Sequence, residues 1–310
     1  MIAWSGAFAR RRSAADRHRT RTLRAGHIAA LLTALALTGQ PAAADTSLWK
    51  IGKAGRTLYL GGTIHVLRPG DFPLPQAFER AFDAADIIGL ETDIGQLHSA
   101  RFQQAMLQQL RYPTGDSLSH YLSEPARDAL ASYCGARGIA LAPLLGFKPA
   151  FAMTTLLATE LQRLGVTSGG VDLHFHRQAV AAGKPLAALE TPEQQLAYVT
   201  TLGVGEESEF ILQLIAEIDQ LQSTLDDMIA AWRAGDTARL NALIIEPMAS
   251  AYPGVYQQLL VERNRAWLPA IEAWLATDAT ELVLVGTAHL AGPDGLLASL
   301  RQRGYTIEQL

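Results

Sequence analysis

The chain has 310 residues, of which 49% are apolar and 18% are charged, with 26 glycines, 14 prolines and one cysteine. This is the composition of an ordinary globular protein, and it excludes collagen, low-complexity disorder and a small disulfide-framed domain. The single cysteine, Cys134, cannot form an internal disulfide, so we expect it to be a small buried apolar residue.

The first 44 residues differ from the rest of the chain. They carry seven arginines and one acid, followed by the apolar run Ile28–Leu37 and the small residues Pro41–Ala44. A basic region, a short apolar region and small residues in this order predict a signal peptide over 1–44 and a periplasmic or secreted domain over 45–310. An uncleaved anchor and a transit peptide are the alternatives, although the run is shorter than the roughly 20 residues that span a bilayer.

The domain over 45–310 is acidic. It has 19 basic and 29 acidic residues, which gives a net charge of −10 with histidines neutral. This balance argues against nucleic-acid binding through a basic patch. No second apolar segment reaches spanning length, so we expect no stable membrane span once the leader is removed.

The domain begins with a predicted strand, loop, helix and second strand. Thr57–Gly61 is a short apolar run typical of a buried strand, and 76–84 carries apolar residues at helical spacing. Asp86–Leu90 is the next apolar run, and it ends at Glu91. This order predicts a parallel crossover unit.

Most of the remaining chain has helical periodicity. Predicted helices cover 100–110, 124–137, 151–164, 171–182, 192–202, 206–232, 237–244, 255–275 and 296–303. Predicted strands cover 184–189, which ends at Glu190, then 281–285 and the short closing segment 305–307. The sequence therefore predicts an α/β fold in which a small mixed sheet carries a large helical insertion.

Two short motifs occur twice. Gly62-Thr-Ile-His65 is echoed by Gly286-Thr-Ala-His289, and Leu90-Glu-Thr92 is echoed by Leu189-Glu-Thr191. The order is mirrored, so it does not indicate a tandem duplication. All four motifs follow predicted strands, whose carboxyl ends form the sites of open α/β sheets.

Two histidines and a carboxylate are the main candidate site. His65, His289 and Glu91 supply imidazole and carboxylate ligands of the kind found in catalytic metal sites. Without a metal, the same groups can act as a general base and its partner. A histidine at a strand end can also be a purely structural residue.

Other candidates carry weaker signals. Asp172 and His176 share one helix face, although an acid at a helix start can simply interact with the helix dipole. Arg263 and Asn264 lie within a predicted helix, where asparagine is a poor helix former and so indicates a used side chain. We expect the remaining histidines to lie on another face or at the surface: His174, His98 and His120. The chain has no GxSxG, P-loop, GxGxxG or CxxC motif.

Taken together, the motifs resemble those of the TraB/GumN family, which includes the Tiki-type proteins. The resemblance is carried by Leu48-Trp-Lys-Ile51, Leu60–Val66, Ile88–Glu91, Gly170-Val-Asp172, Gly183-Lys-Pro185, Leu189–Thr191 with Gln194-Gln195, Glu262-Arg-Asn264, Val285–Leu290 and Gly304-Tyr305. These segments extend over nearly the whole domain in the family's order.

The resemblance implies a fold of the erythromycin-esterase-like and ChaN-like kind. In Tiki-type members, two GxxH motifs and a glutamate are tied to metal-dependent peptidase activity; they fall on His65, His289 and Glu91. The family's Arg-Asn pair falls on Arg263 and Asn264. By the same resemblance the metal is a divalent ion such as Mn²⁺.

Three functional hypotheses follow. The first is a secreted or periplasmic metal-dependent hydrolase, foremost a peptidase, in which His65, His289 and Glu91 bind the metal or activate water and Arg263 orients a carboxylate or stabilises an oxyanion. The second is a non-catalytic protein that binds a peptide, a signal molecule or a haem-like ligand in the same cleft. The third is metal-free hydrolysis with His65 as general base and Glu91 as its partner.

Overall fold

The computed structural model describes residues 46–166 and 169–310. The predicted signal peptide lies outside these residues. Six strands form one mixed sheet: β1 (Leu48–Lys53), β2 (Arg56–Thr63), β3 (Ile87–Leu90), β4 (Leu186–Ala188), β5 (Glu281–Gly286) and β6 (Thr306–Gln309). The strand order is β4-β3-β5-β2-β1-β6. Neighbouring strands among β4, β3, β5 and β2 pair in parallel, whereas β1 is antiparallel to both β2 and β6.

Sixteen α-helices lie in the described part of the chain. Before β4 these are α1 (Gln76–Ala84), α2 (Ile94–Leu97), α3 (Ala100–Leu110), α4 (Leu118–Tyr121), α5 (Glu124–Arg137), α6 (Leu141–Leu144), α7 (Pro149–Arg163) and α8 (Val171–Ala182). After β4 they are α9 (Pro192–Thr200), α10 (Glu207–Ile218), α11 (Leu221–Arg233), α12 (Thr237–Leu240), α13 (Glu246–Ala251), α14 (Pro253–Tyr256), α15 (Glu262–Trp274) and α16 (Leu296–Gln302). Two π-helical segments, Asn241–Ile245 and Gln257–Val261, join α12 to α13 and α14 to α15.

Helices cover both faces of the sheet because its central strands are apolar on both sides. Leu282 and Leu284 of β5 pack with α1, α8 and α11 around Trp232. Val283 and Val285, which point the other way, pack with α15 and α16 around Trp267. Alternate side chains of the strand thus pack in two separate cores, as expected for a parallel sheet buried on both faces.

The helical insertion between β3 and β5 has a core of its own. Residues from α4, α5, α6, α7 and α10 bury Leu130, Cys134 and Ile211 together. Cys134 is a free, buried thiol, as the sequence predicts. No helix in the described residues is long and apolar enough to cross a membrane.

The prediction of an α/β fold with a small mixed sheet and a helical insertion is confirmed, although several elements differ from those predicted. The predicted helix over 206–232 is two helices, α10 and α11, which are separated at Asp219 and Gln220. The predicted helix over 255–275 contains the π-helical segment. Strand β1, which was not predicted from the sequence, pairs along its whole length with β2.

Candidate active site at the carboxyl ends of the parallel strands

The four repeated motifs meet at one edge of the sheet. Each follows one of the parallel strands: the GTxH motifs follow β2 and β5, and the LET motifs follow β3 and β4. The sheet register places Thr63 opposite Gly286 and Leu90 opposite Leu284, so these strands end within two residues of one another. The mirrored order along the chain is therefore a consequence of topology: the two LET strands are neighbours, and so are the two GTxH strands.

A recess of about 360 Å³ opens at this edge. Its polar wall contains His65, Glu91, Asp172 and Gln195, with Leu97 among the apolar residues. The complete lining is Thr63, His65, Leu90, Glu91, Thr92, Ile94, Leu97, Asp172, Gln195 and Leu284. This combination of an apolar wall and a few convergent polar groups is typical of a small-molecule or substrate site.

A second hollow of about 380 Å³ lies in the helical insertion. It runs between the α9–α10 connection and α14, and its charged residues are Glu206 and Glu262. No histidine or basic side chain lines it. We therefore place the candidate active site in the recess at the strand ends, where acid–base groups converge.

His65 stands at the end of β2 and faces the recess. Its side chain is 60% exposed, and its Nδ1 lies 3.3 Å from Asp172 Oδ1. The start of α8 makes this contact possible, because Val171 N donates to Ile64 O at 3.0 Å. Gly170 lies so close to this backbone that a Cβ there would approach His65 C to 2.2 Å. The docking of α8 thus fixes Asp172 beside His65.

The electrostatics of this pair favour a protonated His65. The protein packed around the ring opposes its charge, but the contact with Asp172 and the negative charges of Asp172 and Glu91 outweigh this and raise the His65 pKa to about 9. Water that reaches the exposed part of the ring weakens this attraction. Because the His65 pKa is raised above neutral pH, the ring in the recess is an imidazolium at pH 7.

Glu91, at the end of β3, is buried, and both of its carboxylate oxygens accept hydrogen bonds. Its Oε1 accepts from Gly286 N at 2.6 Å, and its Oε2 accepts from Arg263 Nη2 at 2.7 Å and from Gln195 Nε2 at 3.5 Å. Burial opposes ionisation, but the neighbouring basic groups and the Gly286 amide outweigh it and lower the Glu91 pKa to about 2. Glu91 and His65 share the space beside Gly286, where a Cβ would lie 3.1 Å from Glu91 Oε1 and 3.4 Å from His65 Nε2.

Arg263 lies behind the recess rather than in it. Its Nε and Nη2 form a bidentate pair with Glu190 at 3.0 and 2.7 Å, and Nη2 also donates to Glu91. Its Nη1 donates to Leu259 O at 3.2 Å and to His289 Nε2 at 3.1 Å. These contacts use all five donors of the guanidinium. The predicted role of Arg263 in binding a substrate carboxylate or oxyanion therefore has no free donor to perform it in this arrangement.

His289, the second GTxH histidine, is 3% exposed and also lies behind the recess. Because its Nε2 accepts from Arg263, its Nδ1 must carry the proton that is donated to Asn264 Oδ1 at 2.7 Å. Asn264 is oriented for this by donating its amide to the carbonyls of His289 and Asp294. Burial lowers the His289 pKa to about 3, so the ring is neutral. The two echoed histidines thus occupy different environments.

The predicted site residues are brought together, but in two layers. His65 and Glu91 face the recess, whereas His289, Arg263 and Asn264 form a buried layer that holds Glu91. Glu190, whose pKa is raised by burial against the opposing effect of Arg263, was not among the predicted site residues. Its position in the second LET motif, which matches that of Glu91 in the first, is the sequence feature that indicates it.

Of the weaker candidates, Asp172 reaches the site and His176 does not line the recess. His174 instead lies 3.3 Å from Glu79 on the α1 side, as predicted. His98 and His120 are exposed, also as predicted.

The donor types suit a divalent metal, but their arrangement does not form a site for one. The lone pair of His289 Nε2 and one oxygen of Glu91 both accept hydrogen bonds from Arg263. Among the described residues, no group of three His, Cys, Asp or Glu side chains is placed to hold a metal ion. The three-ligand set of His65, Glu91 and His289 does not fit a metal while Arg263 is hydrogen-bonded to two of its members, His289 and Glu91.

Comparison with known proteins gives one match. The model of the TraB/PrgY/gumN family matches residues 47–309, which include every residue of the candidate site. No curated protein and no solved structure matches the chain.

Proposed function

The chain belongs to the TraB/PrgY/gumN family, and from this premise and the geometry of the recess we propose that it is a hydrolase that acts on peptide bonds. The observation that carries the proposal is the placement of Glu91 and the His65–Asp172 pair together beside Gly286, with an apolar wall next to them. The peptide substrate, the export to the periplasm or beyond, and the signal peptide rest on the sequence and on its resemblance to Tiki-type proteins.

The protonation states assign complementary roles to the two groups. Glu91 is ionised at neutral pH, so Oε1 can orient a water molecule and receive its proton as the water oxygen bonds to the peptide carbon. His65 is protonated, so Nε2 can donate a proton to the amide nitrogen as the C–N bond breaks. The proton on Glu91 then returns to His65, which is downhill because the His65 pKa is the higher of the two.

The apolar wall indicates what lies beside the scissile bond. Leu90, Ile94 and Leu284 line the recess and are buried, and Leu97, which also lines it, is partly buried. The carboxylates of Glu91 and Asp172 disfavour an anionic group at the same place. We therefore expect a neutral peptide segment with an apolar side chain to bind there.

The test is cleavage of a mixed peptide library by the untagged full-length chain, followed by mass spectrometry of the products. We expect His65→Ala and Asp172→Asn to lower kcat/KM by at least 10²-fold, because proton transfer contributes roughly 10²–10⁴-fold. Glu193→Gln is the matched control, since Glu193 is an exposed acid in the first turn of another helix, α9. It removes the same helix-dipole interaction without touching the recess.

The pH profile separates this assignment from a structural role of Asp172. Activity should fall above about pH 9 as His65 loses its proton, and in Asp172→Asn the fall should begin at lower pH. Equal cleavage by wild type and His65→Ala would refute the assignment. A wild-type protein that cleaves no peptide but retains a bound ligand would instead support the non-catalytic hypothesis.

A further inference from the structure

The disagreement between the metal that the resemblance implies and the position of Arg263 leads to a second proposal. We propose that Arg263 is a built-in cation that takes the place of a metal ion: it balances the buried carboxylates and excludes a divalent cation from the site. The inference rests on the proposed hydrolase only where its test measures peptide cleavage, because exclusion of metal can be measured without any activity.

The charge of the buried layer supports this role. Glu91 and Glu190 are both at least 92% buried and both contact one guanidinium, at 2.7 Å in each case. Two carboxylates cannot be kept ionised in such a place without a cation close to both. Arg263 supplies that cation through three hydrogen bonds to their oxygens.

The same guanidinium occupies the lone pairs that a metal would need. Nη1 donates to His289 Nε2 and Nη2 to Glu91 Oε2. A dication approaching these atoms would meet the positive charge of Arg263 at hydrogen-bond distance. The site therefore admits a metal only if Arg263 leaves it.

Arg263 is also prevented from leaving. Its Cζ lies 4.6 Å from the ring centre of Trp267 and 5.7 Å from that of Tyr198, so aromatic rings flank the guanidinium. Its remaining donor is held by Leu259 O, within the π-helical segment that precedes α15. Departure would break all five hydrogen bonds and leave Glu190 without its cation.

Titration of the untagged full-length chain with Mn²⁺ and Zn²⁺ by calorimetry tests the proposal. We expect no stoichiometric binding at micromolar metal by the wild type. Arg263→Met removes the cation and leaves His65, His289, Glu91 and Glu190 around the space, so we expect it to bind metal at least 100-fold more tightly than the wild type. Arg263→Lys keeps the charge, and we expect it to remain without metal.

The outcomes decide the proposal in each case. Stoichiometric metal binding by the wild type that His289→Ala abolishes would overturn it. A folded Arg263→Met that binds no metal would overturn it as well, because Arg263 would then not be what excludes the ion. If Arg263→Met does not fold, metal binding is still measured for the wild type and for His289→Ala. Wild-type binding that His289→Ala abolishes overturns the proposal in that case too.

Peptide cleavage measured with and without a chelator distinguishes failure of this inference from failure of the proposed function. If the wild type cleaves peptides, the activity should survive exhaustive chelation. Activity that chelation abolishes and Mn²⁺ restores would retain the hydrolase and refute the built-in cation. A chain that neither cleaves peptides nor binds metal would refute the hydrolase alone.

Discussion

At the scale of single residues, identical motifs acquire different chemistry from what packs against them. His65 and His289 both end a Gly-Thr-x-His motif after a parallel strand. His65 contacts the Asp172 carboxylate and water and is cationic. His289 is hydrogen-bonded to the Arg263 guanidinium and the Asn264 amide and is neutral. The motif therefore fixes where a histidine stands, and its neighbours fix its protonation state.

Gly170 is the residue on which the His65–Asp172 contact depends. A Cβ at this position would lie 2.2 Å from Ile64 O and His65 C, and a backbone contact cannot be relieved by a rotamer change. We expect Gly170→Ala to lower the free energy of unfolding by at least about 3 kcal/mol, the upper end for overpacked sites. The measurement is urea denaturation followed by circular dichroism.

Gly135→Ala is the control for this substitution. Gly135 lies in the exposed part of α5, and a methyl group added there would meet nothing within 4 Å, so alanine should stabilise the helix by about 0.5–1 kcal/mol. Opposite signs for the two variants are the expected result. If Gly170→Ala were as stable as the wild type, the close docking of α8 on β2 would be wrong.

At the scale of elements, local irregularities position the buried layer. The π-helical segment Gln257–Val261 comes directly before Arg263 and Asn264, and its Leu259 carbonyl accepts from the Arg263 side chain. Such segments within α-helices occur frequently at functional sites. Asparagine at position 264, unfavourable for an ordinary helix, is explained by its hydrogen bond to His289.

Helix α1 connects the strands that carry His65 and Glu91, and Lys184 holds its end. The ammonium donates to Phe82 O and Ala85 O, both at 2.6 Å. We expect Lys184→Met to lower the free energy of unfolding by about 1.5–3 kcal/mol, because it removes charge-assisted hydrogen bonds to helix carbonyls. Thermal or urea unfolding measures the change.

Arg239→Met provides the comparison, since it deletes an exposed pair with Asp227 in which both side chains are more than half exposed. We expect an effect of at most about 0.5 kcal/mol there. A loss from Lys184→Met no larger than that from Arg239→Met would show that the cap contributes little.

At the scale of the whole molecule, the sequence predicts the strands better than the site. Runs such as Glu281–Val285 are almost entirely apolar, so their burial between two helical layers could be inferred from composition alone. The position of all four motifs after predicted strands places their polar groups at one edge of the sheet. Strand β1 is not predicted because Trp49, Lys50 and Ile51 mix apolar and charged residues in a short segment.

The layering of the site could not be predicted, for a physical reason. Which histidine is buried depends on where α15 places Arg263, and this depends on packing between Arg263 and Glu91, which are 172 residues apart in the chain. For Asp172 the sequence favours a helix-dipole interaction, because a position in the first turn does not reveal what lies opposite it. Only the tertiary contact between Gly170 and the end of β2 separates these interpretations.

The opposite pKa shifts of His65 and Glu91 make a prediction for the stability of the whole chain. The His65 pKa is raised from 6.5 to about 9, so its contribution is complete below pH 6.5 and is lost as the pH rises through 9. The Glu91 pKa is lowered from 4.5 to about 2, so its contribution is complete above pH 4.5 and is lost as the pH falls through 2. Both contributions are complete only between pH 4.5 and 6.5.

The free energy of unfolding, measured by urea titration across roughly pH 2–10, should fall on the alkaline side as His65 loses its proton. It should also fall on the acid side, where Glu91 becomes protonated and where the buried His289, whose pKa is lowered to about 3, opposes protonation. We expect Asp172→Asn to reduce the fall between pH 6.5 and 9, because His65 then loses the carboxylate that contacts it and keeps only the weaker influence of Glu91. The acid limb should remain in that variant, since Glu91 keeps Arg263 and the Gly286 amide. An alkaline limb unchanged by Asp172→Asn would mean that groups other than His65 produce it, and that the His65–Asp172 contact does not govern the charge in the recess.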